Sequence, residues 1–117
     1  MRYALLAYSN LEVRDRRSTE EQRRIDAAVA QVLQREDVTG WLRLKDFESA
    51  TTVRQGEGRA LLTDGPFVDS KDYLGGFILV EAENLDGALA VAQELQALAA
   101  TSAIEVRPVN EESLIGA

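Results

Sequence analysis

The stretch Asp64-Gly65-Pro66-Phe67-Val68-Asp69-Ser70-Lys71-Asp72 is the most informative part of this chain for its fold. Gly65 and Pro66 favour a tight turn, because glycine accepts a positive φ and proline fixes φ at about −65°. The stretch holds three carboxylates and one of the chain's two lysines within nine residues. Gly75-Gly76 then leads into Phe77-Ile78-Leu79-Val80, which is apolar on both alternating faces. The pattern predicts a charged turn followed by a buried strand.

Helix and strand patterns flank this stretch. Residues 3–8 are also apolar on both alternating faces, as a buried strand is, whereas residues 9–17 form a polar connection. Ser18 and Glu21 form a capping box that starts one helix, and Asn84 can cap a second. Each predicted helix has one apolar face. The faces consist of Ile25, Ala28, Val29, Val32 and Leu33, and of Leu85, Ala88, Leu89, Ala92 and Leu95.

Shorter strand patterns complete the order of elements. They occur at residues 41–45, 50–54 and 60–62, with a hairpin turn at 56–58 and a last strand at 104–109. Pro108 lacks a backbone N–H, so that last strand belongs at the edge of a sheet. The order predicts an α+β fold, a ferredoxin-like antiparallel sheet with two helices on one face.

The strands that are apolar on both faces, which we call two-faced strands, predict an assembly as well. Two helices cover only one face of a sheet, and a sheet with a solvated second face alternates apolar and polar residues. Residues 3–8 and 77–80 do not alternate in this way. The second face therefore has to be covered, most simply by the same face of another copy. We expect a homodimer.

Length and composition indicate one ordinary globular domain. The chain has 117 residues, of which 45% are hydrophobic and 28% charged. We expect a single domain at residues 1–109 and a C-terminal tail at 110–117 that frays. No apolar run approaches the roughly 20 residues that span a bilayer, and residues 1–8 lack the features of a signal peptide. The sequence predicts a cytoplasmic protein with no membrane partner.

The absence of cysteine and histidine narrows the possible chemistry. Without cysteine the chain has no thiolate nucleophile or zinc–thiolate site, and without histidine it has no imidazole base or Ser–His–Asp triad. The acidic residues Asp64, Asp69 and Asp72 match no calcium-loop spacing. We therefore expect no metal and no cofactor.

The net charge of −7 is unevenly distributed. Residues 1–36 have a balance of +1, whereas residues 37–117 have a balance of −8. An acidic body argues against nucleic-acid binding, which depends on neutralising phosphates. One arginine cluster is interleaved with acids, which favours a solvated, salt-bridged face. The cluster consists of Arg14, Arg16, Arg17, Arg23 and Arg24, with Glu12, Asp15, Glu20 and Glu21 between them.

Five motifs in order resemble the YCII-related family, in its DGPF branch. They are Asp64-Gly65-Pro66-Phe67, the Asp69 to Lys71-Asp72 segment, Gly75-Gly76-Phe77, Leu85-Asp86-Gly87-Ala88 and Glu105-Val106-Arg107-Pro108-Val109. Lys71-Asp72 replaces the Lys-Glu pair that is usual in the family. The resemblance implies a ferredoxin-like fold that pairs into a dimeric α/β barrel, which agrees with the two-faced strands.

The functional implications of the resemblance are narrower. Some relatives have a His–Asp pair near a cleft, but this chain has no histidine to supply it. The branch usually has a proline-containing segment before the last strand, whereas residues 95–103 contain none. Genes of the branch often lie beside extracytoplasmic-function sigma factors, which implies a regulatory role as one alternative.

Three residues are the candidate catalytic groups: Asp64, Lys71 and Arg107. Asp64 is either a general base beside apolar Phe67 or a turn residue that accepts backbone N–H bonds. Lys71 either holds an anionic ligand or pairs with the carboxylate of Asp69 or Asp72. Arg107 shares a strand face with Glu105, so the two either pair with charges across the dimer or line a polar pocket.

The sequence also predicts where the aromatic side chains lie. Phe67 is expected to fill the core or the dimer seam; Trp41, Tyr3, Tyr8 and Tyr73 are expected in the core or an interface.

The sequence leaves three hypotheses for the function. The first hypothesis is a small-molecule-binding dimer, with a small anionic ligand and cofactor-free acid–base chemistry. The second is a non-catalytic accessory or regulatory protein acting through its dimer surface. The third is a purely structural role.

Overall fold

The fold is that of a computed structural model, which describes residues 1–99 and 102–113. Residues 114–117 of the predicted tail, and residues 100 and 101 of the segment before the last strand, lie outside the described part. A 3₁₀ turn at Phe47–Ser49 follows the second strand. The other elements are β1 (Arg2–Asn10), α1 (Leu11–Arg16), α2 (Thr19–Leu33), β2 (Val38–Arg43), β3 (Thr51–Gln55), β4 (Ala60–Asp64), β5 (Asp72–Glu81), α3 (Leu85–Ala99) and β6 (Ala103–Pro108).

The main sheet has four strands in the order β2-β5-β1-β6, and every neighbouring pair is antiparallel. This is the strand order of a ferredoxin-like fold, so the predicted α+β class is confirmed. Within residues 1–99 and 102–113, β6 pairs with β1 alone and forms one edge of the sheet, as Pro108 indicated. Both capping predictions are confirmed as well. Ser18 Oγ accepts a hydrogen bond from the N–H of Glu21 at 3.1 Å, and Asn84 Oδ1 accepts one from the N–H of Gly87 at 3.1 Å.

The hydrophobic core lies between the sheet and the helices α2 and α3. Leu5 of β1 stands opposite Ile78 of β5, and Tyr3 stands opposite Val80. These side chains point to the helix side, where Leu5 and Val80 are completely buried. The helices supply the rest of the core, namely Val32, Ala88, Val91, Ala92 and Leu95.

The other face of the sheet has no helix over it in the described chain. Leu6 stands opposite Phe77, and Ala4 stands opposite Leu79, on the side away from the core. Leu42 of β2 also pairs with Phe77 and is 50% exposed. We call this side the open face.

A hairpin formed by β3 and β4 is separate from the main sheet. We call residues 51–70 the arm. Val53 and Leu62 face each other across it and are 66% and 71% exposed. The radius of gyration is 16.0 Å, whereas a compact chain of this length has about 13 Å, which fits an arm projecting from the body. Phe67 is 73% exposed, so its predicted place in the core of one chain is wrong.

Residues 9–17 are not the polar connection that the sequence predicted. β1 extends to Asn10, whose side chain then accepts hydrogen bonds from the N–H groups of Glu12 at 2.9 Å and Val13 at 3.4 Å. This cap starts the six-residue helix α1. None of the helices in residues 1–99 and 102–113 is long and apolar enough to cross a bilayer.

Candidate functional site

A cleft of about 370 Å³ opens between α2 and the sheet, at the end where α1 and β2 meet β5. This volume is within the range of small-molecule sites. Most of its floor and walls are apolar. The apolar lining includes Ala7, Val13, Ile25, Val29, Leu33, Trp41, Ile78, Leu95 and Ile104.

The cleft exists because side chains are small at this point of the sheet. Ala7 stands opposite Gly76, one helix-facing pair beyond the large pair Leu5 and Ile78. A Cβ at Gly76 would lie 2.5 Å from the carbonyl oxygen of Leu42, so only glycine allows β2 this close to β5. The register shift after Ala7 lies beside Gly75. The missing side-chain volume is the space of the cleft.

The rim of the cleft is positively charged. Four cationic side chains line it, Arg14, Arg17, Arg43 and Lys45, against two carboxylates, Asp26 and Asp46. Among the lining residues alone the balance is therefore +2, although the whole chain has a net charge of −7. A charged cleft with low-dielectric walls concentrates ions of the opposite sign.

The cations of β2 and its extension differ in their partners. Arg43 Nη2 lies 3.6 Å from Asp26 Oδ1, which bridges β2 to α2. Asp26 also accepts a hydrogen bond from Gln22 Nε2 at 2.9 Å. Lys45 makes no ion pair or hydrogen bond within the described residues.

Arg14 joins α1 to the 3₁₀ turn on one side of the cleft. Its Nη2 donates to Glu48 at 3.3 Å, and its Nη1 lies 3.6 Å from Asp46. The guanidinium lies 5.7 Å from the ring centroid of Phe47 and 5.9 Å from that of Tyr73. The hydrogen bond to Glu48 raises the pKa of Arg14 above its ordinary value. Arg14 thus positions the wall of the cleft and has little capacity left for a ligand.

The arginine cluster of the sequence splits in the structure. Arg16 lies 3.7 Å from Glu12, as expected of a salt-bridged face. Arg14 and Arg17 instead line the cleft. Arg17 donates to the carbonyl of Ala99 and, at 3.3 Å, to Gln22 Oε1, so it fastens α1 to the ends of the longer helices.

The three predicted site residues do not line this cleft. Lys71 Nζ donates to Glu12 Oε1 at 2.7 Å, and this bond lowers the pKa of Glu12 and raises that of Lys71. Lys71 therefore forms an ion pair, but with Glu12 and not with Asp69 or Asp72, the partners that the sequence predicted. Asp64 ends β4 on the exposed arm, and its carboxylate accepts no hydrogen bond within residues 1–99 and 102–113.

Arg107 and Lys71 are far apart. Arg107 stands beside Ala4 on the open face, 3.7 Å from Glu105, whereas Lys71 bonds through its carbonyl to Leu11 at the other end of β1. Six residues of strand separate Ala4 from Asn10, or about 20 Å. The structure does not bring the three predicted groups together.

Sequence reasoning missed the residues that do meet at the cleft. One signal was available: Trp41, Arg43 and Lys45 alternate along the predicted strand, so they share one face. A second was Asn10 before Leu11, which is a capping residue at a helix start. Within the described residues, no group of three or more acidic side chains is arranged to hold a metal ion.

Comparison with known proteins places the chain in a family. The model of the YCII-related domain matches residues 1–113. An uncharacterized protein of Rhizobium meliloti (strain 1021) is 35% identical over 114 residues, covering 93% of this chain and 92% of that protein. A solved 5-chloro-2-hydroxyhydroquinone dehydrochlorinase from Burkholderia phenoliruptrix AC1100, in complex with 2,5-dihydroxybenzoquinone, is 19% identical with a TM-score of 0.48 over 96% of both chains. On the family match and the identity to the Rhizobium protein, this chain belongs to the YCII-related family.

Proposed function

We propose that this protein binds a small anionic molecule in the cleft between α2 and the sheet. The observation that carries the proposal is the charge of the rim, +2 around an apolar floor in a chain of net charge −7. An apolar cavity with a few convergent polar groups is the usual form of a ligand site. The cleft volume of about 370 Å³ suits a molecule of about ten to twenty non-hydrogen atoms.

Binding has more support than the cofactor-free acid–base chemistry. Asp64, Lys71 and Arg107, the catalytic candidates from the sequence, do not line the cleft. A molecule bound in the cleft would therefore not lie beside them. Asp26, one of the two carboxylates that line the cleft, lies 3.6 Å from Arg43 and accepts a hydrogen bond from Gln22. Both contacts leave Asp26 engaged within the protein rather than free to meet a ligand. Non-catalytic binding is therefore the function that we put forward.

Titration calorimetry tests the proposal with small carboxylates and their neutral amides. We expect millimolar or tighter affinity for carboxylates, and about five- to tenfold weaker binding after Arg43→Gln or Lys45→Gln, since a charge-assisted contact is worth about 1–1.5 kcal/mol here. Arg24→Gln removes the same charge from α2 outside the cleft and should leave affinity unchanged. Equal affinity for acids and amides would sink the proposal.

A second proposal concerns assembly. We infer that the protein is a homodimer in which the open face and the arm are covered by the second copy. The support is apolar surface left bare in one chain, at Leu42, Val53, Leu62, Phe67 and Val68. Sedimentation tests this: a stable monomer at micromolar concentration would contradict it. The cytoplasmic location and the lack of nucleic-acid and membrane partners remain sequence predictions.

A further inference from the structure

The strand β2 presents an unusual row of side chains to the cleft. β2 is an edge strand, and Trp41, Arg43 and, just beyond the strand end, Lys45 all line the cleft. Alternate residues of an extended chain point to the same side and are about 6.8 Å apart. The row therefore offers an aromatic ring, then a guanidinium and then an ammonium, in one line along the cleft wall.

Trp41 is more exposed than its position in the sheet requires. It stands opposite Ile78, which is a core residue, and so points to the helix side. Its side chain is nevertheless 54% exposed, because α2 does not close over this end of the sheet. A large exposed ring at the mouth of an apolar cleft is a surface on which another ring can stack. Ile25 and Val29 of α2 form the apolar wall across from it.

The charges of the row differ in availability. Arg43 is engaged with Asp26 across the cleft at 3.6 Å. Lys45 has no such partner in the described part of the chain, and its flexible four-carbon stem can reach back along the wall. Lys45 is consequently better placed than Arg43 to bind the carboxylate of a ligand. Arg43 contributes positive electrostatic potential nearby. The ring and the acid of such a ligand have to be separated by a short spacer.

We propose that the ligand is an aromatic acid whose ring stacks on Trp41 and whose carboxylate is bound by Lys45. The proposal deepens the binding function above and depends on it. The opposing wall of Ile25 and Val29 accepts any apolar group, so the preference for an aromatic ring comes from Trp41. The preference for an acid over an amide comes from Lys45.

Calorimetry with three matched probes tests both parts: 3-phenylpropionate, 3-cyclohexylpropionate and 3-phenylpropanamide. Trp41→Leu should weaken 3-phenylpropionate by about five- to tenfold and 3-cyclohexylpropionate by less than about twofold, since ring–ring contact adds about 1 kcal/mol beyond burial. Trp41→Phe should restore most of the loss. Lys45→Gln should weaken both acids and leave the amide unchanged, whereas Arg59→Gln on the arm should change nothing.

Fluorescence gives an independent readout, because Trp41 is the chain's single tryptophan. Binding of 3-phenylpropionate should shift its emission to shorter wavelength as the indole leaves water. If both acids bind equally and Trp41→Leu weakens neither, the stacking inference is overturned while anion binding stands. If no acid binds at millimolar concentration, anion binding itself fails and this inference fails with it.

Discussion

The main sheet and the arm are built alike but differ in what covers them. In the sheet, Leu5 and Ile78 form an antiparallel pair beneath two helices, and Leu5 is fully buried. In the arm, Val53 and Leu62 form an equivalent pair that is more than half exposed. A two-stranded hairpin alone is marginally stable in water. Strand pairing sets the shape of both regions, but only the main sheet is stabilised by burial of its side chains. The arm needs a further surface to cover its apolar side chains and stabilise it in the same way.

The largest effect should come from the sheet side of this comparison. Leu5→Ala removes most of a fully buried core side chain and leaves a cavity, and such changes cost about 2–5 kcal/mol. The free energy of unfolding, measured in denaturant, should fall by that amount at every protein concentration. Leu62→Ala is the matched control on the arm and should cost less than about 1 kcal/mol in dilute protein. A comparable loss from both variants would contradict the contrast between the regions.

A smaller effect should come from the close approach of β2 to β5. Gly76→Ala places a Cβ 2.5 Å from the carbonyl oxygen of Leu42, a backbone atom that cannot move aside alone. We expect a loss of about 1–3 kcal/mol in the free energy of unfolding. Ligand affinity should also fall, since the added methyl enters the cleft.

Gly40→Ala is the control for Gly76→Ala. Gly40 lies in β2, and a Cβ there would meet only Leu79 Cδ1 at 3.8 Å, an ordinary contact. This variant should be within about 0.5 kcal/mol of the parent protein. Loss of stability at Gly40 equal to that at Gly76 would show that strand propensity, and not the contact with Leu42, decides the outcome.

The arm should matter for assembly more than for folding. Leu62→Asp places a charge on the apolar side of the hairpin and should weaken self-association by at least about tenfold, as sedimentation measures. Thr63→Asp is the matched control, because Thr63 pairs with Thr52 on the opposite side of the same hairpin. Equal effects at both positions would show that net charge, and not the apolar side of the arm, governs association.

The sequence predicted the features that depend on residues close together in the chain, namely helix caps and the apolar patterns of strands. Ser18 and Asn84 are capping residues whose side chains act within three residues, and the two-faced strands at 3–8 and 77–80 are visible in the pattern. The helix α1 was missed because six residues are too few to show a period. These elements depend on neighbours in sequence, so a single chain is enough to predict most of them.

The site was not predictable in the same way. The cleft arises from the pairing of Ala7 with Gly76, which are 69 positions apart, and no local pattern gives that register. The same limitation explains the error over Asp64, Lys71 and Arg107. Each has suitable chemistry, but strand pairing places Lys71 and Arg107 at opposite ends of β1, and Asp64 lies on the arm.

The smallest effect concerns the point where the arm rejoins the sheet. Asp72 accepts hydrogen bonds from Asn10 Nδ2 and Ser102 Oγ, and these bonds lower its pKa below the ordinary 3.8. A lowered pKa in the folded state means that the unfolded chain binds the proton more tightly. The resulting stability is therefore complete above about pH 5 and is lost as the pH falls through the lowered value. Asp72→Asn should flatten this acid loss slightly in thermal unfolding between about pH 5 and pH 2. Asp69→Asn is the control, because it removes a carboxylate from the exposed arm, and it should leave the loss of thermal stability at low pH as it is. An equal flattening from both variants would refute the role given to Asp72.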